Sequence, residues 1–399
     1  MSPDASVDAA QLEHDYILQT YTRPELVFER GEGVYLYDTA GQPYLDFVAG
    51  IAVMALGHSD PDVSRAVADQ AGRLIHISNL YHSAPAGELA RALVQSSPAF
   101  DRAFFCNSGA EAVEGAIKFA RRYAHDHYDE GKHTVVAFDG SFHGRTMGAV
   151  AVTAREKYRT PFMPVMPGVR FAELNNLASL AETMADDVCA VIVEPVQGEG
   201  GLRVASDDFL RAARELCDKH NALLIFDEIQ CGMGRTGALW AHEFAKVAPD
   251  MMTIAKPLAG GLPIGAVLLS QRVADAIHAG DHGTTFGGGP LVTTVAKVVF
   301  DKVSDPTFLA RVRSMGDYLD EALHDLMADM PGRVLELRGR GLMRGIRIDG
   351  SAAEVRERAH AVNLLIATAG DYVLRLLPPL IITQQHVDEA IAKLRTVLD

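Results

Sequence analysis

The stretch Ala222-Leu-Leu-Ile-Phe-Asp-Glu-Ile-Gln230 decides the fold, because six apolar residues in it surround two carboxylates. A run of this kind is typical of a strand that is buried on both faces of a mainly parallel sheet. Such sheets place their chemistry at the carboxyl ends of the strands. Asp227 and Gln230 lie at that end, and we therefore expect both to be site residues.

A second apolar run, residues 251–255, leads directly to Lys256 and then to the turn-forming segment Pro-Leu-Ala-Gly-Gly-Leu-Pro. A lysine at the end of a buried strand loses solvation, which lowers its pKa and makes its amine nucleophilic for Schiff-base chemistry. A carboxylate such as Asp227 is costly to bury unless a cation or strong donor meets it. The pair suits pyridoxal phosphate, which needs a lysine for its aldehyde and an acid beside its ring nitrogen.

Three blocks of sequence resemble the class-III aminotransferases of fold type I, and most closely the acetylornithine aminotransferases among them. The three blocks are Val193-Glu-Pro-Val-Gln-Gly-Glu-Gly-Gly201, Phe226-Asp-Glu-Ile-Gln-Cys-Gly-Met-Gly-Arg-Thr-Gly237 and Ala255-Lys256. They follow one another in the same order and at the same spacing as in that family. The resemblance extends from about Tyr21 onward. It implies an α/β fold with a large domain on a mainly parallel seven-stranded sheet and a smaller α+β domain. It also implies pyridoxal 5'-phosphate as cofactor, Lys256 and Asp227 as catalytic residues, and Gln230 near the ring hydroxyl, with no need for a metal or a disulfide.

The pattern of elements predicts two unequal domains. From about residue 60 helices and apolar strands alternate, which favours a doubly wound sheet. We expect an N-terminal arm and hairpin that join the small domain at 1–58, a large cofactor-binding domain at 59–300 and a C-terminal small domain at 301–399. The predicted strands are 102–105, 134–138, 188–193, 222–229, 251–255, 265–270, 340–348 and 372–377.

The N-terminal region predicts a polar arm with a short helix at about 1–20, followed by an antiparallel hairpin at 27–47 with its turn at 38–41. The resemblance places the following segment, 46–58 with Ile51, beside the substrate. For any single residue of this segment, a structural role, in which a strand edge packs on the core, is an equally good interpretation.

The composition excludes several classes of function. With 399 residues, 48% hydrophobic and 22% charged, the chain is typical of a soluble globular protein with a large core. A net charge of −15 argues against nucleic-acid binding. No apolar run reaches the ~18 residues of a membrane span, and the acidic N-terminus lacks the pattern of a signal or transit peptide. The four scattered cysteines indicate neither a zinc site nor a disulfide framework, which fits the cytoplasm.

The segment Asn107-Ser-Gly-Ala-Glu111 follows an apolar strand and precedes a helical pattern at 112–123. Backbone N–H groups at a helix N-terminus bind phosphate, although the same residues also predict a capping box in which Glu111 returns to the Ser108 amide. Both can hold together. The resemblance implies that this is the phosphate loop, formed by Ser108, Gly109 and Ala110, where Ala110 replaces a threonine and removes one hydroxyl contact.

Gly140-Ser-Phe-His-Gly-Arg145 follows another predicted strand and on its own predicts an ordinary turn. A flat side chain at a strand end can stack on a pyridine ring, and an arginine can bind a carboxylate through two nitrogens. The resemblance implies these two roles for Phe142 and Arg145.

Glu199 lies on a glycine-rich loop, where a glutamate is ordinarily solvated. An aminotransferase must admit two different substrates at one site, and a carboxylate that covers or uncovers an arginine solves that problem. The resemblance implies that Glu199 is this carboxylate and that Arg375 is its partner. Arg375 lies in an apolar segment, where a lone arginine is otherwise costly to bury.

His282-Gly-Thr-Thr-Phe-Gly-Gly-Gly-Pro290 on its own predicts a flexible surface loop. The resemblance implies instead a loop that crosses the interface of a homodimer, where Thr285 donates to the cofactor phosphate of the neighbouring subunit. Phe286 and Gly289 replace the tyrosine and asparagine that are common there. Composite active sites in a homodimer follow from the resemblance.

Two functions of other classes compete with an aminotransferase. Gly232-Met-Gly-Arg-Thr-Gly237 matches the G-x-G-x-x-G pattern of an NAD-dependent oxidoreductase, but polar residues separate it from the strand and the acid expected ~20 residues later is absent. A binding protein without activity is disfavoured because Lys256, Asp227 and both arginines are present.

The sequence therefore predicts transfer of the terminal amine of N-acetylornithine, or of a similar N-acyl diamino acid, to 2-oxoglutarate. The products are the semialdehyde and glutamate, in arginine biosynthesis. Ornithine and 4-aminobutyrate aminotransferases are the alternatives. In the resembling ornithine enzymes a tyrosine aligns with Ile51 and helps to hold the free α-amino acid group, whereas isoleucine offers no hydrogen bond.

Overall fold

The computed structural model describes residues 9–399. The first part of the expected N-terminal arm, residues 1–8, lies outside the described residues, and the short helix expected in that arm is α1. The helices are α1 (Ala9–Tyr16), α2 (Ala49–Ala52), α3 (Pro61–Ala71), α4 (Ala84–Gln95), α5 (Gly109–His127), α6 (Met147–Ala151), α7 (Glu156–Arg159), α8 (Leu177–Thr183), α9 (Asp207–Lys219), α10 (Gln271–Ala274), α11 (Pro290–Val303), α12 (Pro306–Asp329), α13 (Ala352–Ala361) and α14 (Gln384–Leu398). None of them combines the length and apolar character that crossing a bilayer requires.

The described strands form three sheets. They are β1 (Phe28–Glu32), β2 (Tyr35–Asp38), β3 (Pro43–Asp46), β4 (Arg102–Cys106), β5 (Thr134–Phe138), β6 (Val169–Ala172), β7 (Val188–Val193), β8 (Leu223–Asp227), β9 (Met251–Ile254), β10 (Gly265–Leu269), β11 (Val334–Arg340), β12 (Met343–Ile348), β13 (Leu364–Leu365), β14 (Ala367–Thr368) and β15 (Val373–Leu376).

The central sheet has seven strands in the order β4-β10-β9-β8-β7-β5-β6. Pairing is parallel from β9 through β8, β7 and β5 to β6, while β10 runs antiparallel to β4 and β9. The mainly parallel seven-stranded sheet is confirmed. The sequence does not predict β6, because this short strand at the sheet edge has an arginine in it and is only partly buried.

The middle strands are buried on both faces, which explains their unbroken apolar runs. All residues of β5, β7 and β8 are buried. Ile225 packs in one cluster with Ile117 of α5, while Leu224 packs in another with Phe209 of α9. Helices therefore cover both faces, and the carboxyl ends of the strands remain for a site.

The N-terminal strands pair with the C-terminal region. The order of their sheet is β1-β2-β3-β13, with β3 and β13 parallel. The turn expected at 38–41 is confirmed, but the predicted hairpin has a third strand, since Gly33 with φ 57° makes another turn. The remaining sheet has the order β11-β12-β15-β14. The strand predicted at 340–348 is divided there, because Arg340 ends β11 and β12 begins at Met343.

The glycine-rich segment 232–237 joins the large sheet to the C-terminal region through Arg235. This side chain is 2% exposed, and its Nη1 donates to the carbonyl oxygens of Leu342 at 3.1 Å and Pro378 at 2.5 Å. The Leu342 amide donates back to the Arg235 carbonyl at 3.0 Å. Burial lowers the pKa of Arg235 to about 9. Packing between segments thus accounts for this motif without a bound nucleotide.

Replacing Arg235 by leucine should destabilise the protein by about 3 kcal/mol. Two buried carbonyl oxygens lose their donor, at about 1–3 kcal/mol each, and removal of a buried charge offsets part of that cost. The measurement is the free energy of urea unfolding at fixed cofactor concentration. Arg65→Leu is the control, since Arg65 has an exposed ion pair with Asp62, which contributes little to stability. Equal losses in the two variants would contradict the assignment.

Candidate active site

A cavity of about 410 Å³ opens at the carboxyl ends of β8 and β9. Its volume is in the range of small-molecule sites, about 300–1,000 Å³. Nine of the residues expected at the site border it: Ser108, Gly109, Ala110, Phe142, Arg145, Glu199, Asp227, Gln230 and Lys256. Arg375 lies directly behind this wall, in contact with Glu199. Ile51 and Thr285 do not border the cavity in the single chain.

Lys256 lies in the turn that follows β9, where the Leu258 amide donates to the Ala255 carbonyl at 2.7 Å, and it borders the cavity. Burial lowers the pKa of Lys256, and the positive charge of Arg375 adds to this effect, while Asp227 opposes it. A larger fraction of the amine is therefore neutral, which is the form that acts as a nucleophile or base.

Asp227 ends β8 and is held by donors on both carboxylate oxygens. Oδ1 accepts from Thr253 Oγ1 and from the Ile229 amide, both at 3.1 Å. Oδ2 lies 2.6 Å from Nδ1 of His143. The sequence does not single out His143, although it stands beside Phe142 in the quoted motif, because its partner is 84 residues away in the chain.

His143 is 2% exposed and lies in contact with Asp227. Burial opposes protonation of the imidazole, but the hydrogen bond and charge of Asp227 outweigh it and raise the pKa of His143. Its Nε2 is buried and has no hydrogen-bond partner among the described residues. His143 thus borders the cavity beside Asp227 with one ring nitrogen that makes no hydrogen bond within the described residues.

The N-terminus of α5 forms the anion-binding end of the cavity. Ser108 Oγ caps the helix by accepting from the Glu111 amide at 3.2 Å, which confirms the predicted cap. The return contact differs from the prediction, since Glu111 Oε2 accepts from the Asn107 amide at 2.5 Å rather than from Ser108. Because a helix N-terminus leaves several amides without intrahelical partners, those of Gly109 and Ala110 are available to bind an anion in the cavity.

Phe142 and Arg145 lie on the loop after β5. The guanidinium of Arg145 is exposed and lies 3.5 Å from the ring centroid of Tyr158 and 5.6 Å from that of Phe142. Tyr158 is a second contact that the sequence does not indicate. It holds Arg145 by a cation–π interaction at the cavity mouth, where a substrate carboxylate can be bound.

Glu199 and Arg375 form an ion pair beside the cavity. Arg375 Nη1 donates to Glu199 Oε1 at 2.5 Å and to the Gly198 carbonyl at 3.2 Å. A longer contact of 3.4 Å joins it to Gln230 Oε1. Arg375 is 3% exposed, so Glu199 neutralises a cation that is costly to bury alone. The expected pairing of the two side chains is thus present, with the carboxylate covering the arginine.

Ile51 lies on a turn of left-handed backbone. All four residues of α2 have positive φ, with 49° at Ala49, 63° at Gly50, 62° at Ile51 and 66° at Ala52. Such backbone is unusual for a β-branched residue. The side chain of Ile51 is 40% exposed, and its neighbour Val53 borders the cavity. The sequence does not predict this conformation.

Thr285 lies on the exposed part of its loop. The loop is joined to the phosphate-binding segment through Thr284, whose Oγ1 accepts from Asn107 Nδ2 at 2.9 Å. Phe286 is 66% exposed next to it. Thr285 is thus exposed and does not border the cavity of the described chain.

These residues fit pyridoxal phosphate. The cavity offers a lysine of lowered pKa, a buried carboxylate, a flat aromatic side chain and a helix N-terminus at separate places on its wall. A phosphate, a pyridine nitrogen and an aldehyde each find a partner of matching chemistry there.

Comparison with known proteins agrees with this fit. The family model "Aminotransferase class-III" matches residues 16–398. The mitochondrial acetylornithine aminotransferase of Alnus glutinosa is 52% identical over 94% of this chain and 84% of its own length. The solved N-acetylornithine aminotransferase of Stenotrophomonas maltophilia K279a has a TM-score of 0.84 and 40% identity, with 97% of both chains covered. The ornithine aminotransferase of Toxoplasma gondii ME49 has a TM-score of 0.93 but 31% identity, with 98% of this chain and 94% of that chain covered.

The family match spans nearly all the described residues, and the relatives are covered over most of their length. It confirms the resemblance on which the expected fold and cofactor depend. The chain belongs to the class-III aminotransferases, enzymes that depend on pyridoxal phosphate.

Proposed function

We propose that this enzyme transfers the terminal amine of N-acetylornithine, or of a similar N-acyl diamino acid, to 2-oxoglutarate in arginine biosynthesis. The observation that carries the proposal is the Glu199–Arg375 pair at 2.5 Å beside the cavity of Lys256. A covered arginine suits an enzyme that binds a dicarboxylate in one half-reaction and a different amine in the other. The acetylornithine aminotransferases among the relatives support the choice of donor.

Lys256 and Asp227 are the proposed catalytic residues. Pyridoxal phosphate, when bound, supplies an aldehyde for the substrate amine and a ring that accepts the electron pair released at the substrate carbon. Lys256 would anchor the cofactor and, as general base, would move the proton from the substrate carbon to the cofactor carbon that carried the aldehyde. Asp227 would keep the ring nitrogen protonated, and His143 Nδ1 holds the Asp227 carboxylate in place at 2.6 Å. The amides of Ser108, Gly109 and Ala110 would bind the phosphate, Phe142 would stack on the ring, and Gln230 would lie near its hydroxyl.

The substrates enter in different orientations. Glutamate gives up an α-amine, whereas an N-acyl diamino acid presents its terminal amine and keeps its α-carboxylate far from the ring. Arg145 binds that distant carboxylate at the cavity mouth. Arg375 binds the second carboxylate of glutamate or 2-oxoglutarate once Glu199 has moved away.

The proposal includes a cytoplasmic homodimer with composite sites that does not bind nucleic acid or membranes. Large exposed apolar side chains near the Thr285 loop support a subunit interface: Leu80 is 85% exposed, Tyr81 68% and Phe286 66%. The four buried free thiols are compatible with a reducing compartment. The proposed domains remain 1–58 with the small domain, 59–300 and 301–399, and the pairing of β3 with β13 supports that grouping.

The Lys256→Ala variant should keep its cofactor affinity from the phosphate site but lose covalent attachment and nearly all turnover. The expected loss exceeds the ~10²–10⁴-fold of general acid–base help, because the anchor and the base disappear together. Absorbance spectra and single-turnover rates with glutamate test this. Lys246→Ala is the control, since Lys246 does not border the cavity. A near-normal rate in Lys256→Ala would exclude the assignment.

The Arg375→Ala variant should weaken glutamate and 2-oxoglutarate more than the amine donor, by about tenfold or more. A charge-assisted contact to the dicarboxylate is lost, worth roughly 1.5–3 kcal/mol. Rates of the two half-reactions are measured separately. Arg145→Ala is the comparison variant, because it should weaken the donor. Equal losses in both half-reactions of Arg375→Ala would contradict the gate.

The kcat/KM for N-acetylornithine should exceed that for ornithine by at least about tenfold, equivalent to ~1.4 kcal/mol in transition-state binding. Ile51 offers no hydrogen bond to a free α-amine, and acylation removes that charge. 4-Aminobutyrate, which has no acylated amine, should be weaker still. Steady-state kinetics with the three donors at saturating 2-oxoglutarate test the proposal. A preference for ornithine or 4-aminobutyrate would assign the enzyme to a neighbouring subfamily.

A further inference from the structure

Glu194 is a buried carboxylate in the cavity wall to which the proposed reaction gives no role. It directly follows β7 and is 6% exposed. A carboxylate at such a place costs free energy unless strong donors meet it. Its hydrogen-bond partners therefore indicate what the side chain contributes.

Glu194 accepts hydrogen bonds from two different loops. Its Oε2 accepts from the Phe142 amide at 3.1 Å, and its Oε1 accepts from the Gly198 amide at 3.4 Å. The first loop carries the aromatic ring of the cofactor site. The second carries Glu199, so one carboxylate joins the cofactor wall to the covering side chain of Arg375.

Gly198 fixes the acceptors of Arg375. Its carbonyl oxygen accepts from Arg375 Nη1 at 3.2 Å, and the next residue supplies the carboxylate that accepts from the same nitrogen at 2.5 Å. A Cβ atom at Gly198 would lie 2.2 Å from Gln230 Oε1, so this backbone is in close contact with Gln230. A displacement of the Gly198 amide would therefore move both acceptors of Arg375 together.

From these contacts we infer that Glu194 is a positioning residue that holds the Glu199–Arg375 pair closed and ties it to the loop of Phe142. The inference rests on the proposed gate. A dicarboxylate binds only the open arrangement, and its apparent dissociation constant is the intrinsic one divided by the open fraction. By stabilising the closed arrangement, Glu194 lowers the affinity for dicarboxylates. It also keeps Arg375 paired with Glu199 while the amine donor, which has only one carboxylate, is bound.

The same contacts predict a pH dependence. The titratable groups that interact with Glu194 are His143 after β5, Asp227 of β8 and Lys256 after β9. The Glu199–Arg375 pair lies beyond Gly198, whose amide donates to Glu194 and whose carbonyl accepts from Arg375. Burial raises the pKa of Glu194 to about 7, while His143 opposes the rise and Asp227 adds to it. Above that pH the ionised carboxylate accepts from both amides. As the pH falls through about 7 it is protonated, one acceptor is lost, and the gate opens more readily.

The test is binding of glutarate, an unreactive five-carbon dicarboxylate, to the holoenzyme by isothermal titration calorimetry at pH 8. In Glu194→Gln the amide oxygen keeps the shorter contact to Phe142 and turns its NH₂ group toward the Gly198 amide. Loss of that hydrogen bond should make glutarate bind about fivefold more tightly. The wild-type affinity should also increase from pH 8 to pH 6, and the increase should be smaller in Glu194→Gln.

Two further variants complete the test. Glu194→Asp keeps the charge but is one methylene too short to reach both amides, so it should also bind glutarate more tightly. Glu199→Gln opens the gate directly. If Glu199→Gln leaves glutarate affinity unchanged, the proposed gate is wrong. If it tightens glutarate while both Glu194 variants bind as the wild type does, the gate stands and the inference about Glu194 is overturned.

Discussion

The parallel pairing of β8 with β9 is the constraint on which the site depends. It sets Asp227 opposite Thr253, whose hydroxyl donates to Asp227 Oδ1 at 3.1 Å. The Glu228 amide donates to the Thr253 carbonyl at 2.9 Å and fixes the register just beyond the strand end. Lys256 follows three residues later. Because side chains alternate between faces, a register shift of one residue would turn Asp227 away from the cavity.

The cavity wall places ionisable groups of opposite sign together where they are buried. Burial lowers the pKa of Lys256 and raises that of Glu194 to about 7, so each group moves toward its neutral form. His143 behaves differently because its Nδ1 lies 2.6 Å from Asp227 Oδ2, and its pKa is raised. One cavity thus favours the neutral form of a lysine and the protonated form of a histidine, although the whole chain has a net charge of −15.

Patterns of residues along the chain predict those site residues whose position depends only on their neighbours in the sequence. The unbroken apolar runs of β8 and β9 indicate where strands end, and so the sequence identifies Asp227, Gln230 and Lys256. Contacts between residues that are distant in the chain cannot be predicted from such patterns. His143 and Asp227, for example, are hydrogen-bonded although 84 residues separate them. Short or partly exposed strands such as β6 lack an apolar run. The sequence predicts that Ser108 caps α5. That the Glu111 carboxylate accepts from the Asn107 amide, and not from the Ser108 amide, depends on three-dimensional geometry.

The left-handed turn that carries Ile51 also depends on distant contacts. Its three non-glycine residues cost about 1–2 kcal/mol each in that conformation. Asp46 offsets much of this cost, since its carboxylate accepts from the Val48 and Ala49 amides at 2.8 and 2.9 Å and lies 2.8 Å from His58 Nε2. Amides that follow Arg375 donate to the two flanks of the turn, from Leu377 to Phe47 at 2.7 Å and from Leu380 to Ala55 at 2.8 Å. The turn that carries Ile51 is therefore anchored on both flanks to the segment that follows Arg375, so the conformation of the turn depends on residues more than 300 positions away in the chain.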